Sequence, residues 1–183
     1  MHRLWSPVDI RAPEDRISWL GPIFGDFHRG RDARIKSYTG ASAENRRPDF
    51  FFLIPDFIRG ASNEIKSAAG FDAISQSIES LVAKKSNNES VDYAKRSLEI
   101  SLKYFLRFLE NPNHENTCAM SFAANLSGRA INISKTTAPH AVSYPFTSLY
   151  NISHGHAVSL TLEKFLKFNF INYKKANCNF DLN

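Results

Sequence analysis

The stretch from Val91 to Leu109 constrains this chain more than any other, because apolar residues recur there at helical spacing for several turns. Val91, Ala94, Leu98, Leu102, Phe105 and Leu109 keep an i, i+3, i+7 rhythm. Asn87-Asn88 ahead of them supplies a cap, and Asn111-Pro112 ends the pattern. A helix of that length with one apolar stripe needs other helices to cover it. Three further stretches supply them. Between Ser67 and Val82, Phe71, Ile74, Ile78 and Leu81 share one face, with Asp72, Gln76 and Glu79 opposite. Ala119, Phe122, Ala123, Leu126 and Ala130 mark another helix, where Gly128 leaves room for a close neighbour. A fourth, from about 155 to 168, buries Val158, Leu162, Phe165 and Leu166. One strand is expected, at Phe50 to Ile54, where a short apolar run is closed by Pro55-Asp56. The fold class read from the pattern is mainly α: a helical array behind one short strand.

The N-terminal part does not share this order. Nine of the twelve Arg fall in the first sixty residues, whereas ten of the eleven Lys follow Lys36 and lie beyond them. Neither a period of 3.6 nor a period of 2 is sustained before about residue 45, and Gly and Pro are irregularly spaced. The expected division is an irregular segment over 1–47 and a helical domain over 48–183. The first segment reads either as a solvated extension or as a foreign start joined to the domain.

Composition excludes several classes. No run approaches the roughly 20 apolar residues that span a bilayer. The net charge of +5 is scattered among acids, without a basic helix or a nucleic-acid motif. Nucleic-acid and membrane partners are therefore not expected. Cys118 and Cys178 stand far apart without CxxC spacing, which fits a reducing compartment, and no targeting segment is evident; the expected location is cytoplasmic.

Chemistry concentrates in Asp72, Gln76 four residues later, His140, and His154 of a His-Gly-His sequence. Residues i and i+4 share a helix face, so Asp72 and Gln76 can present oxygens to one ion. A carboxylate, an amide and two imidazoles make an N/O set suited to a borderline divalent metal. The competing reading is plain: Asp72 and Gln76 lie on the polar side of a helix and face solvent, and each His is a surface residue.

Gly70-Phe71-Asp72-Ala73-Ile74-Ser75-Gln76-Ser77-Ile78-Glu79-Ser80, Ala138-Pro139-His140-Ala141 and Ile152-Ser153-His154-Gly155-His156-Ala157-Val158 resemble the metal-ligand blocks of iron-containing (group III) alcohol dehydrogenases. Block order and the fourteen-residue gap between the two histidines agree, and Ala123 to Gly128 is similar to the helix before the histidine block. The resemblance covers about residues 48–170. It implies a partial helical metal-binding domain of the dehydroquinate synthase-like fold, with Asp72, Gln76, His140 and His154 as ligands of a divalent metal. Iron is expected, with zinc or manganese as alternatives. Most of the family has His where this chain has Gln76, and many members have a second His where this chain has Tyr144. Lys135-Thr136-Thr137-Ala138-Pro139-His140, with Gln76, is similar to the subgroup that reduces phosphonoacetaldehyde; Lys135, Thr136 and Thr137 are thereby candidates to hold an anionic substrate. Tyr144 and His156 are candidates for second-sphere support or proton relay. The family exchanges hydride between NAD(P) and an aldehyde or alcohol. Its Gly-rich phosphate loop has no counterpart among these residues, so this chain alone is expected to be inactive; the partner expected is a homodimer mate or a complementing chain.

Overall fold

The computed structural model describes residues 52–172. Six helices follow one another: α1 (Asp56–Arg59), α2 (Asn63–Val82), α3 (Asn88–Glu110), α4 (His114–Ser134), α5 (Ala138–Tyr150) and α6 (His154–Ile171). The mainly α class holds. The expected strand does not: Phe52, Leu53 and Ile54 have no regular structure, while Phe50 and Phe51 lie outside the described residues. A strand needs a paired edge, and none is offered among the described residues; the Phe57 N–H instead donates to the Ile54 carbonyl as the chain turns into α1. The expected segment 1–47 also lies outside the described residues.

Polar caps set the starts of three helices. Ser62 accepts from the Ile65 N–H at α2, and Asn113 accepts from the Asn116 N–H at α4. At α3, Asn87 and Ser90 form a reciprocal capping box. Asn151, at φ 54°, closes α5 in the left-handed region, where Asn is among the better tolerated residues, and turns the chain into α6.

Helix α2 is the centre of the array, packing on α3 and α4 along one side and on α6 along the other, while α5 packs on α6. Ile58, Phe105, Phe108 and Met120 form one apolar cluster, with Ile74 and Leu109 against it; Leu81, Ala94 and Ala130 form a second. Between them the helices approach over small residues. Ser77 and Ser97 hydroxyls lie 2.8 Å apart, and Ser97 Oγ lies 2.7 Å from the Ala123 carbonyl, so α2, α3 and α4 are stitched at one level.

This stitching explains two departures from the expected faces. On α3 the buried line runs Ser90, Ala94, Ser97, Ser101, Phe105 and Phe108, while Leu102 is 70% exposed. A Leu would not fit where the three backbones close in, and Leu102 falls roughly 100° around the helix from Ser101. On α2 the polar side is the better buried one: Asp72, Gln76 and Glu79 are 6%, 5% and 1% exposed, whereas Phe71 is 42% exposed. Both sides of α2 are covered, and its polar side meets α5 and α6 instead of water.

Candidate metal centre

Asp72, Gln76 and Glu79 lie at i, i+4 and i+7 of α2, which places all three on one face. His140 enters from the first turn of α5 and His154 is the first residue of α6. Gly155 makes the meeting possible. A Cβ at that position would overlap the Ala68 carbonyl and fall 3.0 Å from the Asp72 Cβ, so only glycine lets the start of α6 press on α2 and bring His154 to Asp72.

One donor atom from each of Asp72, His140 and His154 lies within 4.8 Å of the others. His140 Nε2 is 3.2 Å from Asp72 Oδ1, and His154 Nε2 is 3.7 Å from the same oxygen. Ligands about 2.1 Å from a tetrahedral ion are about 3.4 Å apart, so these spacings suit one cation between them. Donor chemistry and geometry both fit a divalent metal. The imidazole rings meet edge to face, with centroids 5.2 Å apart, and Tyr144 stacks on the other side of His154 at 5.8 Å. Ser143 Oγ lies 3.5 Å from His154 Nδ1 while its proton goes to the His140 carbonyl at 2.7 Å.

Gln76 is beside the cluster with its amide nitrogen toward the carboxylate, donating to Asp72 Oδ2 at 2.7 Å. Its amide oxygen is 3.0 Å from Ser127 Oγ, which also lies 2.9 Å from the Ala124 carbonyl. Ser127 has one proton. Given to Ala124, it leaves the Ser127 oxygen free to accept from a Gln76 amide turned by half a rotation. That turn would set the Gln76 oxygen beside Asp72 Oδ2, an arrangement that repels unless the two side chains share one cation.

Glu79 was legible in the sequence only as a polar helix position, yet it is the most deeply buried acid of the described residues named in the core. Its Oε1 is 2.5 Å from His140 Nδ1, and its Oε2 accepts from both the N–H and the hydroxyl of Thr137, the latter at 2.7 Å. The signal that could have found it is its place one turn past Gln76 on the Asp72 face. Burial alone disfavours a charged His140, but hydrogen bonds and negative charge from Asp72 and Glu79 outweigh it, and its pKa is pushed up from the usual 6.5 to about 9.

Other expected residues are placed differently. His156 is exposed, two positions and roughly 200° around α6 from His154, and is not among the clustered donors. Thr136 is exposed, and the exposed Lys135 ammonium donates to the Asn132 carbonyl at 2.8 Å. Thr137, expected near an anion, has both its donors on Glu79.

Residues 66–180 match the model of the Fe-containing alcohol dehydrogenase family, C-terminal. The chain belongs to that family. Phosphonoacetaldehyde reductase of Streptomyces viridochromogenes is 29% identical over 124 residues, covering 67% of this chain and 31% of the reductase. Among solved structures, a sulfoacetaldehyde reductase from Bifidobacterium kashiwanohense in complex with NAD+ superposes with a TM-score of 0.67 at 29% identity, over 69% of this chain and 34% of that one. An iron-containing alcohol dehydrogenase from Thermotoga maritima gives a TM-score of 0.61 at 31% identity, over 63% and 32%. The chain thus spans about one third of the length of these relatives. No described helix is long and apolar enough to cross a membrane.

Proposed function

We propose that Asp72, His140, His154 and a turned Gln76 hold one divalent metal, and that this is the metal-binding part of an oxidoreductase exchanging hydride between NAD(P) and a small aldehyde or alcohol. The observation that carries the reading is the convergence of three buried or half-buried donors within 4.8 Å from α2, α5 and α6. Family membership favours iron; the N/O donor set also suits zinc or manganese. When bound, the metal supplies Lewis acidity toward a carbonyl oxygen.

The residues divide the remaining work. Asp72 contributes the fixed negative charge, and the two imidazoles contribute neutral nitrogen donors. Tyr144 holds the plane of His154 by stacking, which is a positioning role. His156, exposed beyond the cluster, is suited at most to passing a proton to solvent. Two of the similar proteins are named for aldehydes bearing a phosphonate or a sulfonate, and Lys135 and Thr136 lie exposed on the loop leading to His140. A small anionic aldehyde is the proposed substrate class, with the Lys135 ammonium exchanging the Asn132 carbonyl for an anionic oxygen. In this reading the nicotinamide is held by residues outside the matched part, and the protein works in the cytoplasm.

Elemental analysis of the purified chain and of Asp72→Ala and His140→Ala tests the reading. Near-stoichiometric metal in the parent and its loss in both variants is expected; equal metal in all three overturns it. A second reading, a non-catalytic metal-binding or interaction module, is favoured by the exposed Leu102 and Leu106 of α3 and Phe168, Phe170 and Ile171 of α6. Hydride exchange restored by adding a nicotinamide-binding half would decide for the oxidoreductase; metal binding without it would decide for the module.

A further inference from the structure

Glu79 touches no donor atom that faces the cation position, yet it accepts from three groups at once. His140 Nδ1 meets one oxygen, and the N–H and hydroxyl of Thr137 meet the other. Thr137 is the N-cap of α5, and a threonine there ordinarily turns its oxygen onto an N–H of the first turn. Here no such bond is made. In a capping box the third helical residue is an acid that accepts from the N-cap N–H. In α5 that third position is His140, so the box carboxylate arrives from α2 instead. The residue two before Thr137, Lys135, has φ 64°, a left-handed backbone that a side-chain-bearing residue adopts only when its surroundings compel it.

We propose that Glu79 is a positioning residue that clamps the His140 ring and the 135–137 loop together, so that cation binding at His140 Nε2 and order in the loop are coupled. This rests on the metal reading above. With the Nδ1 proton directed at Glu79, the ring cannot turn over, and Nε2 is left as the donor facing Asp72. A cation held at Nε2 fixes the ring from its far side, so the Nδ1 end stays in place against Glu79. Glu79, so anchored, holds Thr137, and the loop that carries Lys135 and Thr136 is fixed relative to the metal. Loop position and metal occupancy thereby become one event.

Zinc titration and amide hydrogen exchange on the whole chain test this. Glu79→Gln keeps the size of the side chain but puts an NH₂ against groups that are themselves donors. Its zinc affinity is expected to fall by about 10–100-fold, the usual cost of losing an outer-sphere partner. Thr137→Val is expected to weaken zinc binding less, and Thr137→Ser, which keeps the hydroxyl, is expected to bind like the parent. In the metal-free parent the Thr137 amide is expected to be protected, to exchange faster in Glu79→Gln, and to slow further when zinc is added to the parent but not to Glu79→Gln. A residue that only supports the fold would lower the melting temperature while leaving zinc affinity and the zinc-dependent change at Thr137 unaltered. That result overturns the proposal. If Glu79→Gln does not fold, the contrast between Thr137→Val and Thr137→Ser carries the test, and equal zinc affinity in the two overturns it. A parent that binds no zinc sinks the metal reading, while loss of coupling in a parent that does bind sinks this one.

Discussion

The two sides of α2 are both buried, and they are held in opposite ways. Toward α3 and α4 the helix presents Gly70, Ala73 and Ser77, and the neighbouring core is Phe105, Phe108 and Met120. There, stabilisation comes from apolar area removed from water and from close packing. Toward α5 and α6 it presents Asp72, Gln76 and Glu79, whose burial is unfavourable until each oxygen and N–H has a partner. The polar side spends hydrogen bonds and charge to hold a geometry; the apolar side supplies the stability that permits it. A glycine marks each contact: Gly70 lies under the Phe105 ring, and Gly155 of α6 lies on the backbone of α2.

Cutting into the apolar side should have the largest effect on folding and little on the cluster. Phe105→Ala is expected to cost about 3–5 kcal/mol in urea unfolding through a residual cavity, with zinc affinity unchanged as long as the chain is folded. Weakened zinc binding in folded Phe105→Ala would show that the two sides are not separable.

A pH series probes the polar side alone. The metal-free folded protein holds His140 at about 9, above the ordinary 6.5, so folding takes up a proton between these values. The stabilisation is full below about pH 6.5, declines as pH rises from there to about 9, and is absent above, a loss of up to about 3 kcal/mol. Urea midpoints on the metal-free chain should follow that course, and His140→Gln should flatten this component. Zinc displaces the Nε2 proton, so zinc affinity should run the other way and rise over the same window.

The paired glycines sharpen the comparison further. Gly155→Ala and Gly70→Ala should each cost about 1–3 kcal/mol by overpacking. Gly155→Ala should also weaken zinc binding, because α6 must withdraw and take His154 with it. Equal zinc affinity in the two variants would remove the claim that Gly155 sets the site. The smallest effect is expected at Gln76. Gln76→His, an imidazole in place of an amide that must first turn, should raise zinc affinity by about tenfold in calorimetric titration. A fall would show that the Gln76–Ser127 pair is needed where it stands.

Much of this architecture was legible in the residues. The α3 pattern, its Asn87 cap and its stop at Asn111-Pro112 agree with Asn88–Glu110, and the metal-ligand blocks led to the family and to the three clustered donors. Burial on α3 departs from the apolar pattern at Leu102, because small serines, not leucines, occupy the place where three backbones close together. On α2 the spacing groups Asp72 with Gln76 and Glu79 correctly, but it points to the apolar set as the covered face, whereas Phe71 is exposed and the polar set is buried.

The amino-acid order by itself determined which residues share a helix in α2, α3, α4 and α6, where α3 begins and ends, and which family the blocks belong to. Only the tertiary structure decided that the polar face of α2 is interior, that Glu79 caps another helix through Thr137, and that Gly155 brings α6 close enough for His154 to reach Asp72. Periodicity reports which side chains point the same way and is silent about what they meet. A face turned to water and a face turned inward to buried imidazoles call for the same polar residues, and their difference arises only when other helices close over one of them.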